Sequence, residues 1–193
     1  MAFYFAAIMT LLLINFGCNK DTLKTDTSKA GNGFEIYITN DTSFKTAAYD
    51  YDSTWQNFQQ NSPLPETKVT DADISWYDWD KQQILLNENG KEKFLKCLAN
   101  EDKSSLGPRF IVTLNGKRLY AGLVIIIFTQ MGIRYPILSY DEIGGNQKEK
   151  FEKNPILHLT PYLLKSKNDE NPETGTVKNP EIYNYFKEIG KLK

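Results

Sequence analysis

The sequence predicts an α+β fold with one mostly antiparallel sheet and two or three helices packed on it. The clearest sheet signal is Asn115-Gly116, a dipeptide favoured in type I′ hairpin turns, where both residues need positive φ. The clearest helix signals are two apolar stripes at helical spacing, which follow the capping residues Asn87 and Asn179. Because a hairpin joins antiparallel strands, the sheet is expected to be mostly antiparallel.

The composition is that of an ordinary globular chain. Its 193 residues are 40% hydrophobic and 24% charged, and the net charge is −1. This near-neutral charge gives no electrostatic reason to expect nucleic acid as a partner. Eleven Tyr, eleven Phe and three Trp make the chain rich in aromatic residues. That richness fits a sheet-containing domain, and it fits equally a binding surface with exposed rings.

The amino terminus divides into a leader and a tether. Residues 1–17 are apolar, which is short for a membrane span of about 20 residues and typical of a signal peptide. Residues 18–33 are polar without an apolar period, so they predict a flexible tether. A single domain is then predicted over 34–193.

The leader ends in Asn15-Phe16-Gly17-Cys18, which resembles the lipobox of bacterial lipoproteins. In that family the leader is removed before the cysteine, and the cysteine is then acylated. The resemblance therefore implies a palmitate-type lipid on Cys18 and a place in the cell envelope, facing the periplasm or the cell exterior. Asn15 departs from the usual Leu, and no Lys or Arg precedes the apolar run. The alternative is a membrane anchor, or a cleaved signal in which Cys18 is incidental.

The first elements of the domain follow from local patterns. Phe34 to Thr39 alternates apolar and polar residues and predicts a strand. Ser53 begins a capping-box pattern ahead of Trp55, which predicts a short helix that ends before Pro63. Two short strands are expected on either side of a turn at Asp78 to Lys81.

The next helix is marked by Asn87 as its cap and by apolar residues on one face. These are Phe94, Leu95 and Leu98, with Cys97 at the flank. If Cys18 carries lipid, Cys97 is the single thiol of the mature chain, so no internal disulfide can form. We expect Cys97 to be a buried structural thiol, because no nearby residue would stabilise its thiolate.

The hairpin strands are predicted at Phe110 to Leu114 and from Lys117 to about Phe128. Gly122 interrupts the second strand, and the prediction places a break there. Val124 to Phe128 is apolar on both faces, which predicts a central position in the sheet.

The remaining elements close the chain. Gly144 to Lys150 predicts a solvated loop or short helix, Ile156 to Thr160 predicts a strand, and Lys165 to Asn179 predicts a long surface loop. Asn179 caps a final helix that has Pro180 in its first turn. The stripe expected to be buried in that helix consists of Ile182, Tyr183, Phe186 and Ile189.

The acidic aromatic stretch from Asp71 to Asp80 is the first candidate for a site. It does not form an EF-hand loop, because Trp76 stands where Gly is required and Gln82 stands where Glu is required. No metal site is predicted there. The favoured interpretation is a strand pair whose carboxylates face water while Trp76 and Trp79 cover the core. A ligand platform that binds sugar hydroxyls is the second interpretation, and an irregular Ca²⁺ site is the least favoured. The platform residues would be Trp76, Tyr77, Asp78, Trp79 and Asp80.

His158 is the only histidine, which excludes a zinc site with several histidine ligands. We expect a structural imidazole rather than a catalytic one. No nucleophile elbow, phosphate-binding loop or dinucleotide motif is present, so no cofactor is predicted.

The basic residues near the hairpin could bind an anion, but we favour a role in protecting a sheet edge. They are Arg109, Lys117, Arg118 and Arg134.

Part of the chain, over residues 74–138, resembles the periplasmic head of the SecD translocation subunit. Leu86 to Gly90, Phe94 and Leu114 to Lys117 stand where that family has a strand-ending turn, a helix and a hairpin turn. The resemblance implies a similar α+β unit and carries no function. The membrane bundle of that family is missing, and Tyr120-Ala121-Gly122 departs from its pattern after the hairpin.

Together these observations predict a membrane-anchored envelope lipoprotein that acts as a non-catalytic binding or interaction module. Its expected partners are the membrane, through the lipid, and an envelope protein or glycan. The alternative is a small envelope hydrolase that uses His158 with a carboxylate or with Cys97.

Overall fold

The structure is a computed structural model that describes residues 31–39, 53–99, 107–125, 136–140, 151–160 and 177–193. Its elements, in chain order, are β1 (Phe34–Thr39), α1 (Ser53–Asn61), β2 (Lys68–Thr70), a 3-10 turn (Asp71–Asp73), β3 (Ile74–Asp78), β4 (Gln83–Leu86), α2 (Glu88–Ala99), β5 (Arg109–Leu114), β6 (Lys117–Ile125), β7 (Ile137–Ser139), β8 (Ile156–Thr160) and α3 (Pro180–Glu188). The leader, Cys18, Arg134, the loop predicted at 144–150 and most of the loop predicted at 165–179 lie outside the described residues. No helix in the described part of the chain is long and apolar enough to cross a membrane.

The strands form one eight-stranded sheet with the order β2-β1-β5-β6-β7-β8-β4-β3. All pairs are antiparallel except β6 with β7. Although β2 and β3 stand at opposite ends of this order, only the three residues Asp71–Asp73 join them. A 3-10 turn rises about 2 Å per residue, so the two ends of the sheet lie close together. The sheet therefore curls into a nearly closed, barrel-like shape.

The predicted fold class is wrong in this respect. The prediction was an α+β domain with helices packed on one sheet, whereas the sheet dominates the structure and the helices are short. Two of its strands, β2 and β7, have three residues each. Such strands are too short to show a period in the sequence, and the curling depends on which strands pair. Neither the short strands nor the pairing that curls the sheet can therefore be derived from a short segment of sequence.

The main core fills the inside of the curled sheet. Every strand contributes inward side chains, and α2 and α3 add Phe94, Cys97, Ile182 and Phe186. A second, smaller core lies on the outer face, where α1 places Trp55 and Phe58 over β1, β5, β6 and β7. This coverage buries both faces of β6 from Tyr120 to Val124. The central strand was predicted at Val124 to Phe128, of which only Val124 and Ile125 are described.

The hairpin turn is confirmed. Asn115 and Gly116 have φ values of 48° and 81°, so both occupy the left-handed region that a type I′ turn requires. Asn115 also binds the start of the domain, because its Oδ1 accepts a hydrogen bond from the backbone N–H of Gly33 at 3.0 Å.

The predicted strand break at Gly122 is wrong. Strand β6 continues through Gly122 to Ile125, and the irregularity lies instead opposite the Val112–Thr113 step of β5. Gly122 is needed because β7 approaches closely. A Cβ atom there would lie 1.9 Å from the carbonyl oxygen of Pro136 and 2.6 Å from Cε1 of Phe110. Residues 126–128 of the predicted strand lie outside the described residues.

The predicted strands β1, β3, β4 and β8 and all three helices are present. Asn87 Oδ1 accepts from Gly90 N at 2.9 Å, and Asn179 Oδ1 accepts from Glu181 N at 2.8 Å, so both predicted caps are confirmed. Ile189 is an error in the predicted stripe of α3. It is 37% exposed because the helix ends at Glu188, and Ile189 lies in the cap.

Polar groups join the two ends of the sheet beside the 3-10 turn. Asp73 is fully buried there, and its carboxylate accepts hydrogen bonds from Thr70 N at 2.9 Å and from Lys93 Nζ at 2.9 Å. Asn89 Nδ2 adds a third at 2.5 Å. Burial favours the neutral acid, but the hydrogen bonds from Lys93 and Thr70 outweigh it and lower the pKa of Asp73. The carboxylate thereby connects β2 to α2.

Candidate ligand-binding face

The outer sides of β3, β4, β8 and β7 form a surface that we call the open face. Residues directly opposite each other on paired strands point to the same side of a sheet, so the strand register shows which side chains lie together. The open face consists of Trp76, Asp78, Gln83, Leu85, Ser139, Ile156, His158 and Thr160. It lies beside the part of the outer face that α1 covers.

The strands that carry the open face are held by their inward residues. Tyr77, Ile84, Leu157 and Leu159 alternate with the outward side chains and are buried in the main core. A one-residue slip of any strand would move these apolar groups to the outer side. The outward side chains are therefore presented on a rigid support, which suits a binding site.

One row of the open face is apolar. Trp76 is opposite Leu85 on β4, and Leu85 is opposite Ile156 on β8. All three side chains are half-buried and retain partial exposure to solvent. Three neighbouring strands thus present a short apolar strip with an indole ring at one end.

The next row is polar. Asp78 is opposite Gln83, Gln83 is opposite His158, and His158 is opposite Ser139. Gln83 Nε2 lies 3.4 Å from His158 Nδ1. Asp78 is mostly buried, and its Oδ1 accepts a hydrogen bond from Lys81 N at 3.0 Å within the β3–β4 turn. Gln83, His158 and Ser139 are half-buried, so hydrogen-bonding side chains lie beside the apolar strip.

The C-terminal residues border the open face at β3. Leu192 forms a parallel bridge with Tyr77, in which Tyr77 N donates to Lys191 O at 2.8 Å and Lys193 N donates to Tyr77 O at 2.9 Å. Lys193 Nζ then lies 4.4 Å from the centre of the Trp76 ring. The outer edge of β3 is thus covered, and a cation stands over the indole.

The five predicted platform residues do not lie together. Trp76 and Asp78 point to the open face, whereas Tyr77 is 1% exposed and belongs to the core. Trp79 is half-buried against the core and stacks edge-on against Tyr183, with ring centres 5.1 Å apart. Asp80 is exposed in the turn. The side-chain alternation of β3 separates these residues between the two sides of the sheet.

The residues of the predicted hydrolase are also separated. Cys97 is buried in the main core, as expected, and His158 points outward on the other side of the sheet. Asp78 lies one strand beyond Gln83 in the row that contains His158. Among the described residues, no group of three or more His, Cys, Asp or Glu side chains could hold a metal ion.

The basic residues near the hairpin bind protein groups individually. Arg109 lies over the Phe58 ring at 5.4 Å, Lys117 Nζ is 2.6 Å from Glu181 Oε1, and Arg118 Nη1 donates to Gln59 O at 2.9 Å. Both β5 and β6 have a neighbouring strand on each side. These residues therefore do not protect a sheet edge, contrary to the favoured interpretation.

The sequence did not identify Gln83, Leu85, Ser139 or Ile156 as candidates. Alternation within β4 and β8 places Gln83 with Leu85 and Ile156 with His158, so part of the signal was present. The pairing that brings these strands together is not encoded in any single segment. No protein-family model, curated protein or solved structure matches this chain.

Proposed function

We propose that this protein is a lipid-anchored, non-catalytic module of the bacterial cell envelope that binds an envelope saccharide through the open face. The observation that carries the proposal is the adjacency of the apolar row, which ends in Trp76, and the polar row that contains Gln83, His158 and Ser139. The lipobox-like ending at Cys18 supports the place in the envelope.

The apolar row and the polar row match the two kinds of surface on a sugar ring. A pyranose presents C–H groups on its faces and hydroxyl groups around its edge. An indole offers a flat apolar surface for the C–H face. The amide of Gln83 and the hydroxyl of Ser139 each donate and accept hydrogen bonds, which suits hydroxyl groups. Specific sites combine a predominantly apolar lining with a few placed polar groups in the same way.

A saccharide fits the open face better than a protein partner does. A stable protein interface uses about 20–30 residues on each side. Within the described residues, the open face has the eight side chains named above, and part of it is covered by the C-terminal residues. An oligosaccharide of a few units needs no larger surface.

The tether suits the recognition of a ligand near the membrane. Residues 18–30 comprise 13 residues, which span at most about 45 Å when fully extended. The domain end of the tether is held by two hydrogen bonds, from Gly31 N to Glu35 Oε2 at 3.2 Å and from Gly33 N to Asn115 Oδ1 at 3.0 Å. The domain would therefore sample a restricted layer above the lipid surface.

The test is saccharide binding by the full-length protein, with an array of envelope glycans followed by calorimetry on the best ligand. Trp76→Ala should weaken binding at least tenfold, which corresponds to about 1.4 kcal/mol. Trp79→Phe is the control, because Trp79 packs against the core and Tyr183 and not on the open face. Failure of every envelope glycan to bind, or equal binding by Trp76→Ala, would rule out this function.

A further inference from the structure

We infer that the saccharide bound by the open face carries a carboxylate, and that Lys193 binds this group at the Trp76 end of the surface. The inference rests on the proposed function and adds the chemical class of the ligand. It derives from the position of the Lys193 ammonium, which lies 4.4 Å from the centre of the Trp76 ring.

The backbone position of Lys193 is set by the residues before it. Helix α3 is followed by Gly190 at φ +70°, and Lys191 N then donates to Phe186 O at 2.9 Å. This pattern is typical of a Schellman termination, which turns the chain sharply at the end of a helix. The chain is thereby directed towards the edge of β3.

The side chains of Lys191 and Leu192 also hold the segment against β3 and the 3-10 turn before it. Lys191 Nζ donates to Asp71 O at 2.6 Å and to Ile74 O at 2.7 Å. Leu192 packs against the main core. Because Lys193 N also donates to Tyr77 O, the root of the Lys193 side chain is fixed while its four-carbon stem can pivot.

A ring that stacks on Trp76 meets this ammonium directly. No Asp or Glu side chain among the described residues forms an ion pair with Lys193 Nζ, and the Lys193 side chain is exposed. A neutral sugar would displace the ammonium and lose the cation–π contact. An acidic sugar would instead gain a charge-assisted hydrogen bond, which is stronger than an exposed cation–π contact.

The charges of the open face place the carboxylate at this end. The outward strand residues of the described open face include no Lys or Arg, and the cation that lies over its Trp76 end is the ammonium of Lys193. The one carboxylate in the rows, Asp78, is mostly buried and accepts from Lys81 N. A ligand that places its acid group beside Trp76 and its hydroxyl groups along Gln83 and Ser139 satisfies both rows.

The experiment compares oligosaccharides that differ only at C6 of each sugar unit, such as a galacturonic acid tetramer and the galactose tetramer with the same linkage, on the full-length protein by calorimetry. We expect the acidic tetramer to bind at least tenfold more tightly than the neutral one. Lys193→Ala should remove this preference, and Lys193→Arg should retain it. Lys187→Ala is the matched control, because Lys187 lies over the Tyr183 ring at 6.0 Å. Added salt should weaken only the acidic ligand.

The outcomes separate this inference from the proposed function. Equal affinity for the acidic and neutral tetramers, or a preference that survives in Lys193→Ala, overturns the role of Lys193 and leaves saccharide binding in place. Binding of neither tetramer, together with a negative envelope-glycan array, overturns both.

Discussion

The hydroxyl of Tyr77 donates a hydrogen bond to Oε1 of Gln82 at 2.8 Å inside the main core. Gln82 adopts φ +53°, and its Nε2 donates to the carbonyl oxygen of Trp79 at 2.5 Å. The turn between β3 and β4 therefore sends a polar side chain inward to satisfy a buried phenol. Burial raises the pKa of Tyr77, so the phenol stays a neutral donor.

Loss of this partner should destabilise the fold. Gln82→Leu leaves the Tyr77 hydroxyl buried without its acceptor, and such a group costs about 1–3 kcal/mol. Chemical denaturation of both proteins measures the free energy of unfolding. Adding Tyr77→Phe to Gln82→Leu should recover much of the loss, because both partners are then apolar. Independent, additive effects of the two substitutions would contradict the coupling.

The buried carboxylate of Asp73 makes stability depend on pH in the acidic range. Because Lys93 and Thr70 lower its pKa below that of the unfolded chain, about 3.9, its contribution is complete above that value. The contribution is lost as the pH falls through the lower folded pKa. Asp73→Asn should therefore destabilise the protein by about 1–3 kcal/mol at pH 7 and by less near pH 3.

Thermal melts of wild type and Asp73→Asn from pH 7 to pH 3 test this prediction. Lys93→Gln is the companion variant and should weaken the same dependence, because Lys93 Nζ is 2.9 Å from Asp73 Oδ1. A difference between wild type and Asp73→Asn that stays constant over this range would contradict the predicted linkage.

The sequence predicted the hairpin turn and the helix caps correctly, but it did not predict the topology of the sheet. Asn115-Gly116, Asn87 and Asn179 act within a few residues of themselves, so turns and caps could be derived from short segments. The row that brings Gln83 beside His158 joins residues 75 positions apart, and no local pattern encodes that register. For the same reason the residues predicted to form one platform at 71–80 lie on both sides of β3, with Trp76 and Asp78 on the open face and Tyr77 in the core.

Substitution of Gly122 tests how closely the backbones of β6 and β7 approach each other. Gly122→Ala would place a methyl group against the carbonyl oxygen of Pro136, so the backbone must shift. Such overpacking costs about 1–3 kcal/mol and more where backbone atoms resist. Gly190→Ala is the comparison, since a Cβ there meets nothing within 4 Å and only the positive φ is strained. Urea denaturation should show the larger loss for Gly122→Ala, and the reverse order would be inconsistent with the close strand approach.

Tyr120 and Tyr37 should respond oppositely to removal of their hydroxyl groups. The Tyr120 hydroxyl is buried and has no hydrogen-bond partner among the described residues, so Tyr120→Phe should leave stability unchanged or raise it by about 1 kcal/mol. The Tyr37 hydroxyl donates to Glu35 Oε2 at 2.7 Å, and Tyr37→Phe should lower stability by about 1 kcal/mol. Calorimetric melts distinguish the two. A clear loss in Tyr120→Phe would reveal a polar partner for that hydroxyl.

The proposed lipidation of Cys18 makes a testable prediction about how the protein would be held in the envelope. Cys18→Ser removes the thiol that would be acylated, so labelling by a fatty-acid analogue should disappear. A form of the protein that has lost its leader should then no longer co-sediment with membranes. Cys97→Ser is the matched control, because Cys97 is buried in the main core and should leave labelling unchanged. Labelling that persists in Cys18→Ser would show that another residue carries the lipid. Membrane association without any labelling would instead favour the uncleaved apolar leader of residues 1–17 as the anchor.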